Sequence, residues 1–527
     1  MQLNNRNGDK MVTATHDVQT SNKLKNILAS TDHKMIGILY LVFALTNFSI
    51  GGMFALLMRI ELIAPGKTLL TPKEFESLFT AHGLVMIFLA IFPLGAAFGN
   101  YLIPLLIKAR DLYWPRWNNI AFWMLVPAAL LMYFGLLSSE GLGWTMYPPL
   151  SIVQGGNQDM FIIGLIIAGV SAVIASINFI MTVFFMRAPG LPLRKLDLFA
   201  WAIVFTSLIQ LFATPIITIG LVMLLLSRNL GAQFFGFIPT VDLHGPILWQ
   251  HVFWAYSHPA VYIMIVPAMG LESLIISKFS RNKIFGYESM VISLFAISFI
   301  GFVVWGHHMY TTGIIPSEIL DFTLMTYVIA IPSGIKTFNW IATLHSSRIK
   351  MEAPFLFALA FIFGFVIGGL MGVMLNIVPL DIQFQDTYFV VSHFHYIVIG
   401  GTVSIVMGAI YYILPYHIGR MYNKKLALWH FALWVVGFTL TFGSMMILGT
   451  LGMPRRYFDW SGLQNANWMS LFNFLATVGA FLMAIAFLIF LYNLYWTFRN
   501  GPKVADPNDP FELGDGLYLN APLETVD

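Results

Sequence analysis

The stretch HVFWAYSHPAVYIM (His251–Met264) places two histidines, two tyrosines and a serine inside a run apolar and long enough to cross a membrane. It holds no carboxylate. The whole chain shares the apolar character. Of its 527 residues 58% are hydrophobic and 10% charged, and the mean hydropathy is +0.76. A soluble chain carries about 25% charge, so the composition is that of an integral membrane protein. A net charge of +3 is too weak to point to nucleic acid. With zero cysteines, disulfides, thiolate metal sites and a catalytic thiol are excluded, which leaves His, carboxylate, Met or Tyr as metal ligands. Met1 to Thr20 is polar, so no cleavable signal peptide is expected.

Apolar stretches predict an all-α protein of twelve transmembrane helices, at 34–62, 79–108, 118–138, 158–187, 199–229, 245–279, 284–313, 321–346, 354–377, 388–418, 427–451 and 468–500. They form one membrane domain (34–500) between an N-terminal segment (1–33) and a C-terminal tail (501–527). The longest loops fall near 140–157 and 452–467, with no room for a soluble domain. Lys23, Lys25, Lys108, Arg110, Arg116, Arg187, Arg194, Lys195, Lys278, Arg281, Lys283, Arg348, Lys350, Arg420, Lys424 and Lys425 fall on one set of loops. The other set has only Arg59, Lys67, Lys73, Arg228, Arg455 and Arg456. Positive residues stay inside, which predicts both termini in the cytoplasm.

That topology brings six histidines to one depth. His82 is expected to open the second span and His393 and His395 the tenth, with His307 and His308 near the outer end of the seventh and His258 in the outer half of the sixth. Neutral imidazole is the commonest nitrogen ligand for copper and heme iron. Residues two apart on a helix point about 200° apart, so His393 and His395 face opposite sides and can serve different cofactors. His82 with His395 then suits a six-coordinate heme, His393 a second heme, and His258, His307 and His308 a third metal. Adjacent histidines diverge by about 100°, so binding one metal through both calls for local helix distortion. His16, His33, His244, His251, His345, His417 and His430 read as structural or interfacial.

In order along the chain stand TDHKMIGILYL (31–41), FTAHG (79–83), PRWNN (115–119), GWTMYPPLS (143–151), WGHHMYTTG (305–313), IPSGIK (331–336), VVSHFHY (390–396) and GMPRRY (452–457). Together they resemble subunit I of the heme-copper oxygen reductases, the catalytic subunit of cytochrome c oxidase, over nearly the whole chain. The YSHP segment resembles the A2 subgroup of the A-type enzymes. The resemblance implies reduction of O2 to water with proton pumping, in the plasma membrane of a prokaryote. His82 and His395 would bind a low-spin heme a, His393 a high-spin heme of the a type, and His258, His307 and His308 copper (CuB). Arg455 and Arg456 would meet heme propionates, with Trp144 beside them and Arg59 on a formyl group. Tyr262, four residues after His258, would be covalently linked to it and give the last electron and proton.

For protons, the resemblance implies one route through Lys336 and Ser333, where the family usually has Thr, and Pro332 and Gly334 are expected to loosen that helix. A second route would use Asp111, Asn118, Asn119 and Asn178. Many members carry Glu where this chain has Ala260; the hydroxyl of Tyr256, one turn away and next to Ser257, is the expected replacement. The usual His-Asp of a Mg site is here Gln385-Asp386, which leaves Asp386 as a doubtful Mg ligand; Glu61 is an outer cation candidate. Expected partners are a CuA-bearing subunit II, subunit III, and cytochrome c or a similar donor. Quinol-oxidising relatives have polar residues where this chain has Ile50 and Phe54. The competing readings are a quinol oxidase, a nitric oxide reductase and a transporter without redox chemistry.

Overall fold

The structure, a computed structural model, describes residues 27–137, 141–235 and 244–514. Lys23, Lys25 and His16, with most of the N-terminal segment and half of the tail, lie outside the described residues. Twelve principal helices run through the rest: α1 (His33–Glu61), α2 (Pro72–Leu106), α3 (Pro115–Leu137), α4 (Gln158–Phe185), α5 (Leu198–Leu230), α6 (His244–Ser280), α7 (Tyr287–Ile300), α8 (Pro316–Leu344), α9 (Ala353–Leu375), α10 (Tyr388–Ile418), α11 (Lys424–Thr450) and α12 (Ala466–Asn500). Among the described residues there is no strand, only the isolated bridges Thr387–Pro454 and Arg420–Lys503.

Eleven of these helices are long and apolar enough to span a membrane. The seventh expected span differs: α7 is 14 residues long and ends at Ile300, and the chain then forms a separate 3-10 turn over Trp305–Met309 that holds His307 and His308. The adjacent histidines demand this distortion, because a regular helix would splay them apart.

The second span also begins earlier than expected. Thr71 and Glu74 form a reciprocal capping box with Pro72 in the first turn. His82 therefore lies about three turns inside α2 rather than at its mouth. Beyond His82 the helix widens into a π turn at Val85–Ile91, and α10 does the same at Tyr396–Val403, directly after His395. Such turns gather at functional sites. α8 runs through Pro332 as one helix, without the loosening expected there.

The histidines lie at the centre because of how the helices pack. α6 and α10 are the most enclosed, with 83% and 72% of their most apolar stretches buried. α5 packs along α6, α3 along α4 and α11 along α12. Around the outside, large apolar side chains such as Leu130, Phe212, Phe338 and Leu370 remain exposed. A soluble protein would not tolerate that much exposed apolar surface, but lipid does.

Candidate metal centre

On α6 and the 3-10 turn, one ligand atom each from His258, His307 and His308 lies within 4.8 Å of the others; it is the one His/carboxylate cluster of this kind among the described residues. His258 Nδ1 and His307 Nε2 each lie 3.1 Å from His308 Nε2. One hydrogen on His308 Nε2 cannot point at both neighbours, whereas a cation can serve all three. Metal–nitrogen bonds of about 2 Å would span each 3.1 Å gap at an angle on the order of 100°.

The tautomers follow from the outer partners. Thr326 donates its hydroxyl to the Phe322 carbonyl, so its oxygen accepts from His307 Nδ1 at 3.0 Å. That leaves His307 Nε2 with a free lone pair. Trp254 stacks on His308 with ring centroids 3.8 Å apart, fixing the plane of that ring. Thr326→Val should weaken metal retention about 10- to 100-fold; metal analysis of the purified protein after mild chelation checks this.

Histidines 393 and 395 do face opposite ways. His393 Nδ1 lies 2.8 Å from the Gly368 carbonyl on α9, and a Cβ at Gly372 would come within 2.8 Å of its ring. Its charge reaches His258, His307 and His308. His395 turns instead toward α2. Its ring is nearly parallel to that of His82 at 6.3 Å between centroids, and Phe442 stacks on it at 4.6 Å. His82 Nδ1 lies 2.9 Å from the Gly51 carbonyl, and His395 Nδ1 2.8 Å from that of Val391. A carbonyl only accepts, so each of the three rings carries its proton on Nδ1 and leaves Nε2 for a metal. Two metal–nitrogen bonds of about 2 Å and the two ring radii fill the space between His82 and His395.

The flanking cations fit an anionic or carbonyl-bearing group. Arg59 is buried with Nη2 donating to Asn473 Oδ1 at 2.7 Å, while Nε and Nη1 have no partner. Arg455 pairs with Asp386, its Nε 2.8 Å from Oδ1, where the Thr387–Pro454 bridge joins the two segments. Asp386 is thus a partner of Arg455 and belongs to no ligand cluster. Burial, and next the like charge of Arg455, hold Arg456 down at about 10, as expected for a cation awaiting an anion. Asp386 (φ 57°) and Arg456 (φ 73°) both take left-handed backbone, a strain of about 1–3 kcal/mol each that marks functional sites. Trp144 packs on Phe253 and Trp254, and a Cβ at Gly83 would crowd its Cβ at 3.2 Å, so the glycine eases the loop's approach to α2.

Of the proton-route candidates, Lys336 is fully buried with no partner for Nζ, and Ser333, half-buried one turn away, donates back to Ile329. Asn118 donates to Asn100 at 2.5 Å, and Asn178 exchanges two bonds with the Trp114 backbone. Asn119 instead ties down the N-terminal segment through the carbonyls of Leu28 and Ser30; it is a clamp and does not join the other asparagines. Tyr256 and Ser257 line a cavity of about 100 Å³ that reaches Ser171, Ser176 and Ser207, and Gln210, which donates to Thr214 at 2.6 Å, lines it too. Asn100, Gln210 and the buried Asp381 lie outside every motif, and no sequence signal marks them. Asp381 is pushed up to about 7 by burial, then by Asp386. Glu61 accepts from the backbone of Thr68, Leu69 and Leu70, which occupies its carboxylate.

Fold and site together define a polytopic helical membrane protein with a three-imidazole cluster suited to a metal, beside a facing pair of imidazoles. The family described as Cytochrome C and Quinol oxidase polypeptide I matches residues 35–482, and the chain belongs to it. Cytochrome c oxidase polypeptide 1 of Halobacterium salinarum is 45% identical over 94% of this chain and 84% of its own length. Quinol oxidase subunit 1 of Bacillus subtilis is 40% identical over 90% of this chain and 73% of its own. In fold, the chain is similar to a heme-copper terminal oxidase dimer solved by cryo-EM, with TM-score 0.75 and 21% identity over 90% of this chain and 85% of that one. The chain is thus the subunit I of a heme-copper terminal oxidase, an oxidoreductase that uses heme and copper and works with other subunits in a membrane.

Proposed function

We propose that this chain reduces O2 to water with electrons from cytochrome c, or a similar small redox protein, delivered by a CuA-bearing subunit II, and that it pumps protons. One observation carries this reading. Two histidines two residues apart on α10 both keep Nε2 free, one facing His82 and the other held on a different side by the Gly368 carbonyl, within electrostatic reach of the three-imidazole cluster. His82 and His395 hold the low-spin heme a, His393 the high-spin heme of the a type, and His258, His307 and His308 the copper. When bound, these groups would supply the electrons that reduce O2.

The protein's own residues do the rest. Arg59 offers its free donors to a formyl oxygen, and Arg455 and Arg456 neutralise propionates. Tyr262 stands 4.9 Å from the His258 ring between centroids, and His258 Nε2 is buried with no partner; this is the free valence a His258–Tyr262 bond would use. Its phenol holds a proton next to the copper ligands. Reading α7 with the 3-10 turn as a composite twelfth crossing agrees with the basic loops, which favour both termini on the cytoplasmic side of a prokaryotic plasma membrane.

One proton path runs from Asp111 past Asn118, Asn100 and Asn178 into the serine-lined cavity under Tyr256. The cavity is lined mainly by apolar side chains, and its serines with Gln210 are the polar partners it offers to water. Tyr256→Phe should slow turnover with heme and copper content unchanged, and normal turnover and pumping in reconstituted vesicles would defeat the relay role of Tyr256. At the mouth, burial raises Asp111 to about 6, against the Leu112 N–H that lowers it. Its folded value exceeds its ordinary 3.8, so its stabilising contribution is present at acid pH and lost as pH rises toward 6. Melting scans should show the wild type losing ground to Asp111→Asn across that window, while the variant loses proton uptake at neutral pH.

A reduced-minus-oxidised optical spectrum tests the cofactors, and absence of heme bands would sink the assignment. A quinol donor is the second reading, since the Bacillus subtilis relative is named a quinol oxidase. Phe54 is buried and Ile50 half-buried on α1, which offers a quinol headgroup no polar contact there and favours cytochrome c. Oxygen uptake with reduced cytochrome c against a quinol analogue, in the complete complex, separates the two.

A further inference from the structure

Glu272 on α6 is fully buried, and neither carboxylate oxygen has a hydrogen-bond partner. An isolated carboxylate in that setting costs several kcal/mol, so it needs a reason to be there. The reason lies across the helix interface on α8. Trp340 donates its indole N–H to the hydroxyl of Ser273, the residue after Glu272, at 3.0 Å. The Nζ of Lys336 sits over the ring of that same tryptophan, 5.0 Å from its centroid. Lys336 is also fully buried and unpartnered. The charge of each group reaches the other, and among the described residues no third charge acts on either.

We propose that Glu272 is a proton-relay carboxylate that works with Lys336, the buried pair holding one proton between them and passing it toward Tyr262. The proposal rests on the reading of Lys336 as a proton route to the three-histidine centre. In one state the pair is ammonium and carboxylate, in the other amine and carboxylic acid. The forward step breaks the O–H bond on Glu272 and forms an N–H bond on Nζ, and nothing is oxidised or reduced. The pair is neutral overall in both states, which is what a buried site can tolerate. The two groups lie beyond hydrogen-bond distance, so transfer runs through a water or a swing of the flexible lysine stem. Along α6, Glu272 stands ten residues past Tyr262, about 15 Å at 1.5 Å per residue, on the side of α6 away from His251. It therefore extends the lysine site along the helix that carries the copper ligand and the phenol.

The test uses the complete oxidase carrying Lys336→Met, Glu272→Gln or Glu272→Asp. The readouts are the rate of anaerobic electron arrival at the high-spin heme and redox-difference infrared spectra in H2O and D2O. Lys336→Met and Glu272→Gln should each slow that rate about 100-fold, with heme and copper content unchanged. The double variant should be no slower than Lys336→Met alone, and Glu272→Asp should recover most of the rate. The wild type should show a carboxylic C=O band that shifts in D2O and vanishes in Glu272→Gln. A slow Lys336→Met beside a normal Glu272→Gln would overturn the relay and leave the lysine route standing. A normal Lys336→Met would overturn both. If Glu272→Gln does not assemble, wild-type protein with isotope-labelled glutamate decides, and a spectrum without a label-sensitive, deuterium-sensitive carboxyl band overturns the proposal.

Discussion

His258→Ala loses copper and oxygen uptake together, while both hemes stay bound. His258 supplies one of three nitrogens that converge within 4.8 Å. Without it, His307 and His308 remain as adjacent ligands on one strained turn, and two imidazoles cannot close a stable copper site. The loss of a supporting partner costs about 10- to 100-fold in metal affinity, so the loss of a ligand should exceed about 100-fold, enough to strip the metal during purification. Folding should survive. The ring is enclosed by Tyr262 and the other two histidines, and deleting it costs on the order of 2–5 kcal/mol as a cavity, small for a domain of twelve helices. The decisive measurement is copper per heme beside oxygen uptake. Full copper with lost activity would remove His258 from the ligand set and leave it a structural role.

Much of this site is legible in the sequence because its chemistry is costly in lipid. Six histidines, a lysine and an arginine pair stand out against apolar spans, and helix periodicity separates His393 from His395 before any coordinates exist. The need for distortion at His307–His308 is equally a matter of angles, and the 3-10 turn meets it. What escapes is whatever depends on packing across helices. Nothing in MGLESLI (269–275) says that Glu272 will face Lys336, since a lone carboxylate near the end of an apolar run looks interfacial. Asn119 sits in the same motif as Asn118, yet faces another way because the two diverge by about 100° around α3. The π turns after His82 and His395 leave no mark in composition, since Val85–Ile91 is as apolar as any helix. The early start of α2 was encoded in TPKE (71–74), a polar capping box that hydropathy alone passes over.

His82→Leu removes the low-spin heme and leaves the three-histidine copper centre and the heme on His393 in place. This is the sharpest consequence of the opposed rings on α10. His82 and His395 form a facing pair: nearly parallel rings 6.3 Å apart, each with Nδ1 bound to a carbonyl. His393 is tied to α9 through Gly368 and shares neither partner. The leucine leaves the Gly51 carbonyl unsatisfied, at a cost of about 1–3 kcal/mol, so the chain should still fold and insert. Purified protein should then hold half the heme, bind carbon monoxide at the remaining one, and keep its copper. Steady-state turnover should fall by more than about 100-fold, because electrons lose their route while the reducing site itself is intact. Direct chemical reduction should still convert the high-spin heme, which separates a lost route from a lost centre. The mirror variant, His393→Leu, should invert the pattern, keeping the low-spin spectrum and losing carbon monoxide binding. If either variant lost both hemes equally, the two rings would belong to one site, and the assignment of separate cofactors to opposite faces of α10 would fail.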